Sequence, residues 1–183
     1  MRIIGGMLGG RRISPPARMP HTRPTTDRAR EALFNILSNR LDLEGIVALD
    51  LFAGTGALGY ELCSRGASRV VAVEKDPAMH GFIRQTAALL ALENHQALRM
   101  DAFLYLEGCS ETFDLILADP PYELPGLDRL PEMVFGRRLL SPDGYLVVEH
   151  GSHFAFPDRT ELVLRRNYGD SFFSFFHKPE ADS

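Results

Sequence analysis

A glycine-rich stretch from Ile46 to Gly59 constrains the fold of this chain more than any other part. Its first half is apolar as far as Asp50 and predicts a short strand that is buried on both faces, as in a parallel sheet. Its second half contains Gly54 and Gly56 and leads into a helical pattern that begins near Ala57. Because glycine has no side chain, such a loop lets a ligand approach the free backbone N–H groups closely. The stretch therefore predicts an α/β fold with a ligand at this loop.

Strand and helix patterns alternate along the rest of the chain. Further strands are expected at Val70–Glu74, Ala97–Met100, Phe113–Ala118 and Tyr145–Glu149. Helices are expected over residues 27–39, from Met79 to Leu90 and over Leu127–Leu140. This alternation implies right-handed βαβ crossovers and a parallel sheet. The last two strand-like runs, Leu162–Tyr168 and Phe172–Phe176, follow one another across Gly169-Asp170 without a helix, which predicts a hairpin.

Acidic residues close four successive predicted strands: Asp50, Glu74, Asp101 and Asp119. In an open α/β sheet the carboxyl ends of the strands line the ligand crevice, although an aspartate there also often forms a turn or a cap. We expect Asp50 to orient the glycine loop near a cationic end of the ligand. Glu74 is placed to accept hydrogen bonds from ribose hydroxyls, and Asp101 is placed to meet an adenine amino group.

The glycine loop alone is compatible with two ligands. The spacing Gly54-x-Gly56-x-x-Gly59 matches the dinucleotide fingerprint, and Glu74 lies 18 residues beyond Gly56. A nicotinamide enzyme and an S-adenosylmethionine (AdoMet) enzyme both need these parts, and a tight turn without a ligand is the third interpretation. A second motif distinguishes between the two ligands.

That motif is Asp119-Pro120-Pro121-Tyr122, which follows the fourth strand. Two prolines fix φ and remove two N–H donors, so the loop is stiff and presents a carboxylate, a carbonyl and an aromatic ring. The Asp119 carboxylate and the Pro120 carbonyl would each accept one N–H of a purine amine, and Tyr122 would stack on the base. An amine that attacks a sulfonium methyl group gains positive charge, which fixed acceptors stabilise. The motif favours methyl transfer without a metal over hydride transfer.

The charge of the chain is unevenly distributed. The first 40 residues carry a net charge of +6 and the remainder −10, and all the cations of the first segment are arginines. Arginine binds phosphate bidentately, so a polyanion partner is favoured over a solvated tail. We expect a basic N-terminal arm or hairpin over residues 1–24 that contacts RNA and a catalytic domain over residues 25–183. The candidate RNA-binding residues are Arg2, Arg11, Arg12, Arg18, Arg23 and Arg28.

Length and composition suit one globular domain of 183 residues. No apolar run is long enough to span a bilayer, and the N-terminus has no signal-peptide pattern. Cys63 and Cys109 show no pairing pattern and are expected in the core. We therefore expect a cytoplasmic protein that does not contact the membrane and is a monomer.

Taken together, these motifs make the chain resemble the RsmD family of 16S rRNA (guanine-N2)-methyltransferases. The matching segments cover nearly the whole chain, and they are Arg2–Gly6 with Gly10-Arg11, Arg23–Phe34, Leu49–Gly59, Ser64–Ala67, Asp119–Tyr122 and Tyr168–Asp170. Of these, Arg23–Phe34 is specific to the family. One departure is Arg84-Gln85-Thr86, where the family usually has an asparagine; we expect that position to be structural.

The resemblance implies a class I methyltransferase fold of three layers, Rossmann-like, with a seven-stranded and mostly parallel sheet that ends in an antiparallel hairpin. It implies AdoMet as cofactor, S-adenosylhomocysteine as product, no metal, and a guanine of 16S rRNA in the assembled or assembling small subunit as substrate. It assigns catalysis to Asp119–Tyr122. The cofactor-binding residues would be Asp50, Gly54, Gly56, Glu74 and Asp101 with their neighbours Phe52, Ala53, Lys75 and Ala102.

The sequence is also compatible with three other functions. An adenine-N6 methyltransferase on DNA or RNA would use the same Asp-Pro-Pro-Tyr motif. A nicotinamide oxidoreductase would use the glycine loop, but the chain lacks a separate substrate domain. An RNA-binding module with an inactive cofactor site is disfavoured by the intact acids at the strand ends. His150 and His153 are expected to be loop residues, because two histidines without further ligands make a poor metal site.

Overall fold

The computed structural model describes residues 1–17 and 25–178, which contain five helices and one seven-stranded sheet. The strands are β1 (Val47–Leu51), β2 (Arg69–Glu74), β3 (His95–Arg99), β4 (Phe113–Ala118), β5 (Leu140–His150), β6 (Leu162–Tyr168) and β7 (Ser171–His177). The helices are α1 (Asp27–Ser38), α2 (Ala57–Ser64), α3 (Pro77–Leu89), α4 (Ala102–Gly108) and α5 (Arg129–Gly136).

The sheet has the strand order β3-β2-β1-β4-β5-β7-β6. Strands β1 to β5 pair in parallel, whereas β7 is antiparallel to both β5 and β6. The predicted mostly parallel sheet with an antiparallel C-terminal hairpin is therefore confirmed. No helix within residues 1–17 and 25–178 combines the length and apolarity that a bilayer crossing requires.

Helices cover both faces of the sheet, so the central strands alternate between two cores. Leu49 and Leu51 of β1 face the layer that holds α4 and α5, whereas Ala48 faces the layer that holds α1 and α2. The period of two along a strand places Asp50 on the same face as Ala48. A carboxylate thus points from the middle strand into the layer that holds α2.

Register at the carboxyl end of the sheet places two loops and the last residues of β5 side by side. Leu51 of β1 pairs with Ala118 of β4, and Ala118 pairs in turn with Val148 of β5. The glycine loop, the Asp119 loop and Glu149 near the end of β5 therefore lie next to one another at the same edge of the sheet. This is the crevice where open α/β sheets bind ligands.

Several element boundaries differ from the sequence prediction. Helix α4 was not predicted, and Asp101 is its N-cap rather than the end of a strand, because β3 already ends at Arg99. The helix predicted over Leu127–Leu140 ends at Gly136, and β5 begins at Leu140. Pro142 is compatible with a strand here because the register between β4 and β5 shifts at this point. Pro142 lies within the shift and has no paired residue on β4, so its missing N–H costs no hydrogen bond between these strands.

The described part of the N-terminal segment packs on the domain. Arg2 and Arg12 form an antiparallel bridge, and Ile3 and Ile13 are buried in a cluster with Tyr60, Ile83 and Ala87. Residues 1–13 therefore form a short hairpin-like pair that covers α2 and α3.

Candidate active site

A cavity of about 580 Å³ opens at the carboxyl end of the sheet, between the glycine loop and the Asp119 loop. It brings together two groups of residues that the sequence predicted to act in one site. The predicted residues that line it are Asp50, Phe52, Ala53, Gly54, Asp119, Pro120, Pro121 and Tyr122. Met1, Thr25 and Arg30, which were not predicted, also line it. Its volume is in the range of small-molecule sites.

The glycine loop has a backbone conformation that favours glycine. Gly54 and Gly56 have φ angles of 55° and 77°, in the left-handed region. Gly56 precedes α2 as its N-cap, and a Cβ atom there would lie 2.6 Å from the Tyr60 hydroxyl oxygen. The loop therefore depends on glycine both for its conformation and for the space beside Tyr60.

Asp50 connects the sheet to α2. Its Oδ2 accepts a hydrogen bond from the Gly59 N–H at 3.1 Å. Its Oδ1 is buried and has no hydrogen-bond partner within the part of the chain that the structure describes. Burial raises the pKa of Asp50 to about 7, the nearby Glu74 carboxylate adds to the effect, and the Gly59 hydrogen bond opposes it. A buried, half-satisfied carboxylate at the wall of a cavity is suited to a cationic ligand group.

Five predicted cofactor residues lie outside the lining of this cavity. Glu74 accepts backbone N–H groups on both oxygens, from Gly54 at 2.8 Å and from Asp76 at 2.7 Å, so it fixes the loop. Asp101 accepts the N–H groups of Phe103 and Leu104 and caps α4. The remaining three are Lys75, which is exposed, Ala102, which is buried, and Gly56. That these residues contact a cofactor stays a prediction.

An aromatic pair lies beside the glycine loop. The Phe52 ring meets the Phe103 ring edge to face at 6.1 Å, and the guanidinium of Arg129 lies over Phe103 at 5.9 Å. Phe52 has a φ of 60°, which is uncommon for a residue with a side chain. Phe103 was not among the predicted site residues, because no helix was expected in that region.

The loop after β4 holds Tyr122 between two polar partners. Its hydroxyl donates to Glu149 Oε1 at 3.2 Å and lies 3.1 Å from Ser171 Oγ. Its backbone carbonyl lies 3.2 Å from His153 Nε2. A Cβ atom on Gly151 would lie 2.9 Å from the Tyr122 ring, so glycine at that position makes room for the tyrosine.

Thr25 links Asp119 to Glu149. Its Oγ1 lies 2.8 Å from Asp119 Oδ2 and 2.7 Å from Glu149 Oε2. Desolvation raises the pKa of Asp119 well above its usual range, the charges of Glu149 and Asp50 add to this, and the Thr25 hydrogen bond opposes it. Desolvation also raises the pKa of Tyr122. Neither Thr25 nor Glu149 was predicted as a site residue, although Glu149 ends the fifth predicted strand.

A second cavity, of about 410 Å³, lies on the other side of Tyr122. Its lining includes Glu149, Arg28 near the start of α1, and the β6–β7 turn around Gly169. Tyr122 lines both cavities and is therefore part of the wall between them.

The predicted RNA-binding arginines differ in their surroundings. Arg11, Arg12 and Arg28 are exposed, and Arg2 is exposed with its Nε 3.4 Å from an Asp27 oxygen. Arg18 and Arg23 lie outside the described residues. Arg30, in contrast, is buried and binds Asp27 and the Arg2 carbonyl, so it supports the site rather than offering a free cation.

The described residues contain no group of three or more histidine, cysteine or acidic side chains arranged to hold a metal ion. Cys63 and Cys109 are buried and unpaired.

Comparisons with known proteins agree with this geometry. A family model described as "Conserved hypothetical protein 95" matches residues 1–177. The chain is 34% identical to the putative rRNA methyltransferase YlbH of Bacillus subtilis over 171 residues, which are 91% of each protein. It is 33% identical to ribosomal RNA small subunit methyltransferase D of Escherichia coli K12 over 150 residues, which are 81% of this chain and 74% of that one. A solved structure of a hypothetical protein from Thermus thermophilus superposes with a TM-score of 0.85 at 29% identity, covering 97% and 99% of the two chains.

Proposed function

This chain belongs to the RsmD family of methyltransferases, and from that premise we propose that it transfers a methyl group from AdoMet to the exocyclic N2 of a guanine in 16S rRNA. The observation that carries the proposal is the cavity shared by the glycine loop and the Asp119–Tyr122 loop. A cofactor loop and an amine-binding loop must meet if a methyl group is to pass between their ligands.

The residues of the first cavity suit AdoMet. Its amino group would lie near the unpartnered Asp50 Oδ1, where a positive charge satisfies a buried carboxylate. The left-handed turn at Gly54 and Gly56 keeps the loop free of side chains where the ligand approaches. AdoMet supplies, when bound, an activated methyl group on a sulfonium sulfur. The role of the protein is to hold the acceptor amine in line with that group.

The Asp119–Tyr122 loop would hold the acceptor amine. The Asp119 carboxylate and the Pro120 carbonyl each accept one N–H, and together they stabilise the positive charge that develops on the nitrogen. Tyr122 is held from its hydroxyl by Glu149 and Ser171, which leaves its ring as a fixed surface for the base. Because the N2 amine of a paired guanine is not free, the base must be unstacked or unpaired to enter.

The substrate would reach the site from the side of the arginines. Arg11, Arg12 and Arg28 are exposed and suited to phosphate contacts, which would weaken as salt rises. We propose that the rRNA lies in the assembled or assembling small subunit and that the enzyme acts as a monomer in the cytoplasm. The relatives named as rRNA methyltransferases support an rRNA substrate.

A second candidate keeps the same site and changes the base. An exocyclic N6 amine of adenine would make the same two hydrogen bonds with Asp119 and Pro120, so the motif does not distinguish the two amines. The names of the relatives favour rRNA over DNA as the substrate class.

The test is methyl transfer from labelled AdoMet to small ribosomal subunits from cells that lack this activity, followed by mass analysis of the nucleosides. N2-methylguanosine is the expected product. N6-methyladenosine would contradict the guanine assignment and support the second candidate. Absence of transfer with AdoMet bound would contradict the assembled subunit as substrate, and absence of AdoMet binding would contradict the cofactor assignment itself.

A further inference from the structure

Three side chains cross the wall between the two cavities. Thr25 and Asp119 line the first cavity, and Glu149 lines the second. The Thr25 hydroxyl lies between the two carboxylates, at 2.8 Å from Asp119 and 2.7 Å from Glu149. Both distances are typical of O–H···O hydrogen bonds. A continuous path of hydrogen bonds therefore joins the site of the acceptor amine to the neighbouring cavity.

The proton count of this path is constrained. A threonine hydroxyl has one proton to donate, and ionised carboxylates can only accept. If both acids were ionised, one carboxylate oxygen would face the Thr25 oxygen without a proton between them, and two like charges would lie close together. Both short contacts are satisfied when one of the two carboxyl groups carries a proton and donates it to Thr25.

We propose that Thr25 and Glu149 are positioning residues for the methyl transfer, which share one proton with Asp119 and carry the proton that the amine releases to the second cavity. The inference rests on the proposed function, because it uses the same acceptor amine. When the shared proton resides on Glu149, the Asp119 carboxylate is free to accept the substrate N–H. Thr25 permits this by donating to Asp119 while it accepts from Glu149.

Atoms and electrons balance in the proton step. Methyl transfer breaks the carbon–sulfur bond, whose electron pair stays on sulfur, and forms a carbon–nitrogen bond from the nitrogen lone pair. The nitrogen is then cationic, and one of its N–H bonds breaks as the proton moves to Asp119. Glu149 releases its own proton to water in the second cavity. A shift of the remaining proton from Asp119 through Thr25 to Glu149 restores the state in which Asp119 accepts an amine N–H.

In the free protein the neighbouring groups favour the shared proton on Asp119, and the N–H of a bound amine, which needs an ionised acceptor, favours its shift through Thr25 to Glu149. On the side of the first cavity, the Asp50 carboxylate adds negative charge and raises the pKa of Asp119. On the side of the second cavity, the Tyr122 hydroxyl donates toward Glu149. The other residues on the described walls of the two cavities that carry a charge are Met1, through its N-terminal ammonium group, Arg30, Glu123, Arg28 and Asp170.

Two variants are expected to shift the titration of Asp119 in opposite directions. Glu149→Gln removes a like charge, so the pKa of Asp119 should fall. Thr25→Val removes a hydrogen bond that favours the ionised form, so the pKa of Asp119 should rise. Thr25→Ser keeps the hydroxyl and should titrate like the wild type. Carbon-13 NMR of labelled carboxyl groups in the free protein measures these shifts without any substrate.

The same shifts should appear in the pH profile of single-turnover methyl transfer. The acidic limb of the profile should move to lower pH in Glu149→Gln and to higher pH in Thr25→Val. The rate at neutral pH should fall about tenfold or more in both variants, in line with the loss of general acid–base assistance. Thr25→Ser should recover most of the rate, and the affinity for AdoMet should not change.

Glu107→Gln is the matched control, because Glu107 is exposed in α4 and lines neither cavity. A uniform loss of rate in Glu149→Gln and Thr25→Val, without a shift of the acidic limb of the pH profile and without a shift in the pKa of Asp119, would indicate a purely structural role and overturn the inference. NMR shifts as expected without transfer to small subunits would count against the proposed substrate instead. The two failures are thereby distinguishable.

Discussion

Glu61 Oε1, within α2, accepts a hydrogen bond from the backbone N–H of Gly5 at 2.8 Å. Its other oxygen accepts from the Ile4 N–H at 2.7 Å, and Arg65 Nε donates to Oε1 from the next turn. Glu61 is fully buried, and these partners offset the cost of removing its carboxylate from water. The helix that follows the glycine loop thus also holds the N-terminal segment.

Replacing Glu61 should therefore release that segment. Glu61→Ala leaves two backbone N–H groups and the Arg65 guanidinium without their acceptor, and we expect a loss of about 2–4 kcal/mol in the free energy of unfolding. Urea denaturation measures the loss, and amide exchange should show reduced protection of residues 3–13. Glu93→Ala, at an exposed position, is the control. Unchanged protection in Glu61→Ala would contradict this assignment.

The limited space between Gly59 and His95 predicts that a side chain at position 59 would disturb the cofactor site. A Cβ atom on Gly59 would lie 2.7 Å from His95 Nε2 and 3.3 Å from Asp50 Oδ2. Gly59→Ala should push α2 away from the sheet, lower stability by about 1–3 kcal/mol and weaken AdoMet binding at least about tenfold. Calorimetry on the purified variant measures both effects.

Gly81→Ala provides the matched comparison, because no atom of the described residues outside the adjoining backbone of α3 lies within 4 Å of the added Cβ. That variant should be neutral or more stable by up to about 1 kcal/mol, since alanine favours the helix. Equal effects of the two substitutions would show that the space at Gly59 does not matter.

Asp50 should make both stability and AdoMet binding depend on pH. Since burial raises its pKa to about 7, the folded protein retains a proton that the unfolded chain loses above about pH 4. Its contribution therefore destabilises the free protein progressively as pH rises from about 4 to 7, by an amount on the order of 4 kcal/mol. Asp50→Asn keeps the shape, removes the titration and should unfold with less pH dependence over that range.

The affinity for AdoMet should increase with pH over the range in which the stability of the free protein decreases. If the ionised Asp50 pairs with the amino group of AdoMet, affinity rises as pH increases toward 7, and Asp50→Asn binds weakly at every pH. Titration calorimetry at several pH values checks this. An affinity of the wild type that does not vary between pH 5 and 7 would exclude the pairing.

The sequence predicted the shared cavity because both motifs follow parallel strands, and parallel strands present their carboxyl ends at one edge. It could not assign every acid at that edge. An aspartate at a strand end is equally suited to a ligand or to a helix cap, and Asp101 is found to cap α4. The short α4 has only seven residues, too few for a clear helical period.

Thr25 and Glu149 could not be predicted from local sequence patterns for a different reason. Their partners lie far away in sequence, with Thr25 separated from Asp119 by 94 residues and from Glu149 by 124. No local pattern encodes such a contact, which depends on the order of strands in the sheet. Glu149 nevertheless follows the rule used for the other acids, because it lies near the end of β5, and applying that rule to a fifth strand would have identified it.

Asp119 should be required for transfer and not for cofactor binding. Asp119→Ala removes a fixed acceptor from the amine, and we expect kcat to fall by at least about a hundredfold, as when a preorganised charge-stabilising group is lost. AdoMet binding should stay within about twofold of the wild type. Asp143→Ala, exposed and outside both cavities, should behave like the wild type. Undiminished turnover by Asp119→Ala would exclude the proposed role.

The exposed arginines of the N-terminal pair should govern the salt dependence of RNA binding. Arg11 and Arg12 are exposed, while the backbone of the segment is held by the buried Ile3 and Ile13. Their substitution by glutamine should therefore leave the fold intact. Each lost phosphate contact reduces the slope of log K against log salt by about 0.7–0.9. The double variant should thus show a slope shallower by about 1.5, measured by filter binding to rRNA, and weaker binding at low salt.

Arg84→Gln, on the exposed side of α3, should leave the slope unchanged. An equal slope in the double variant and in the wild type would mean that the RNA approaches the cavity from another side.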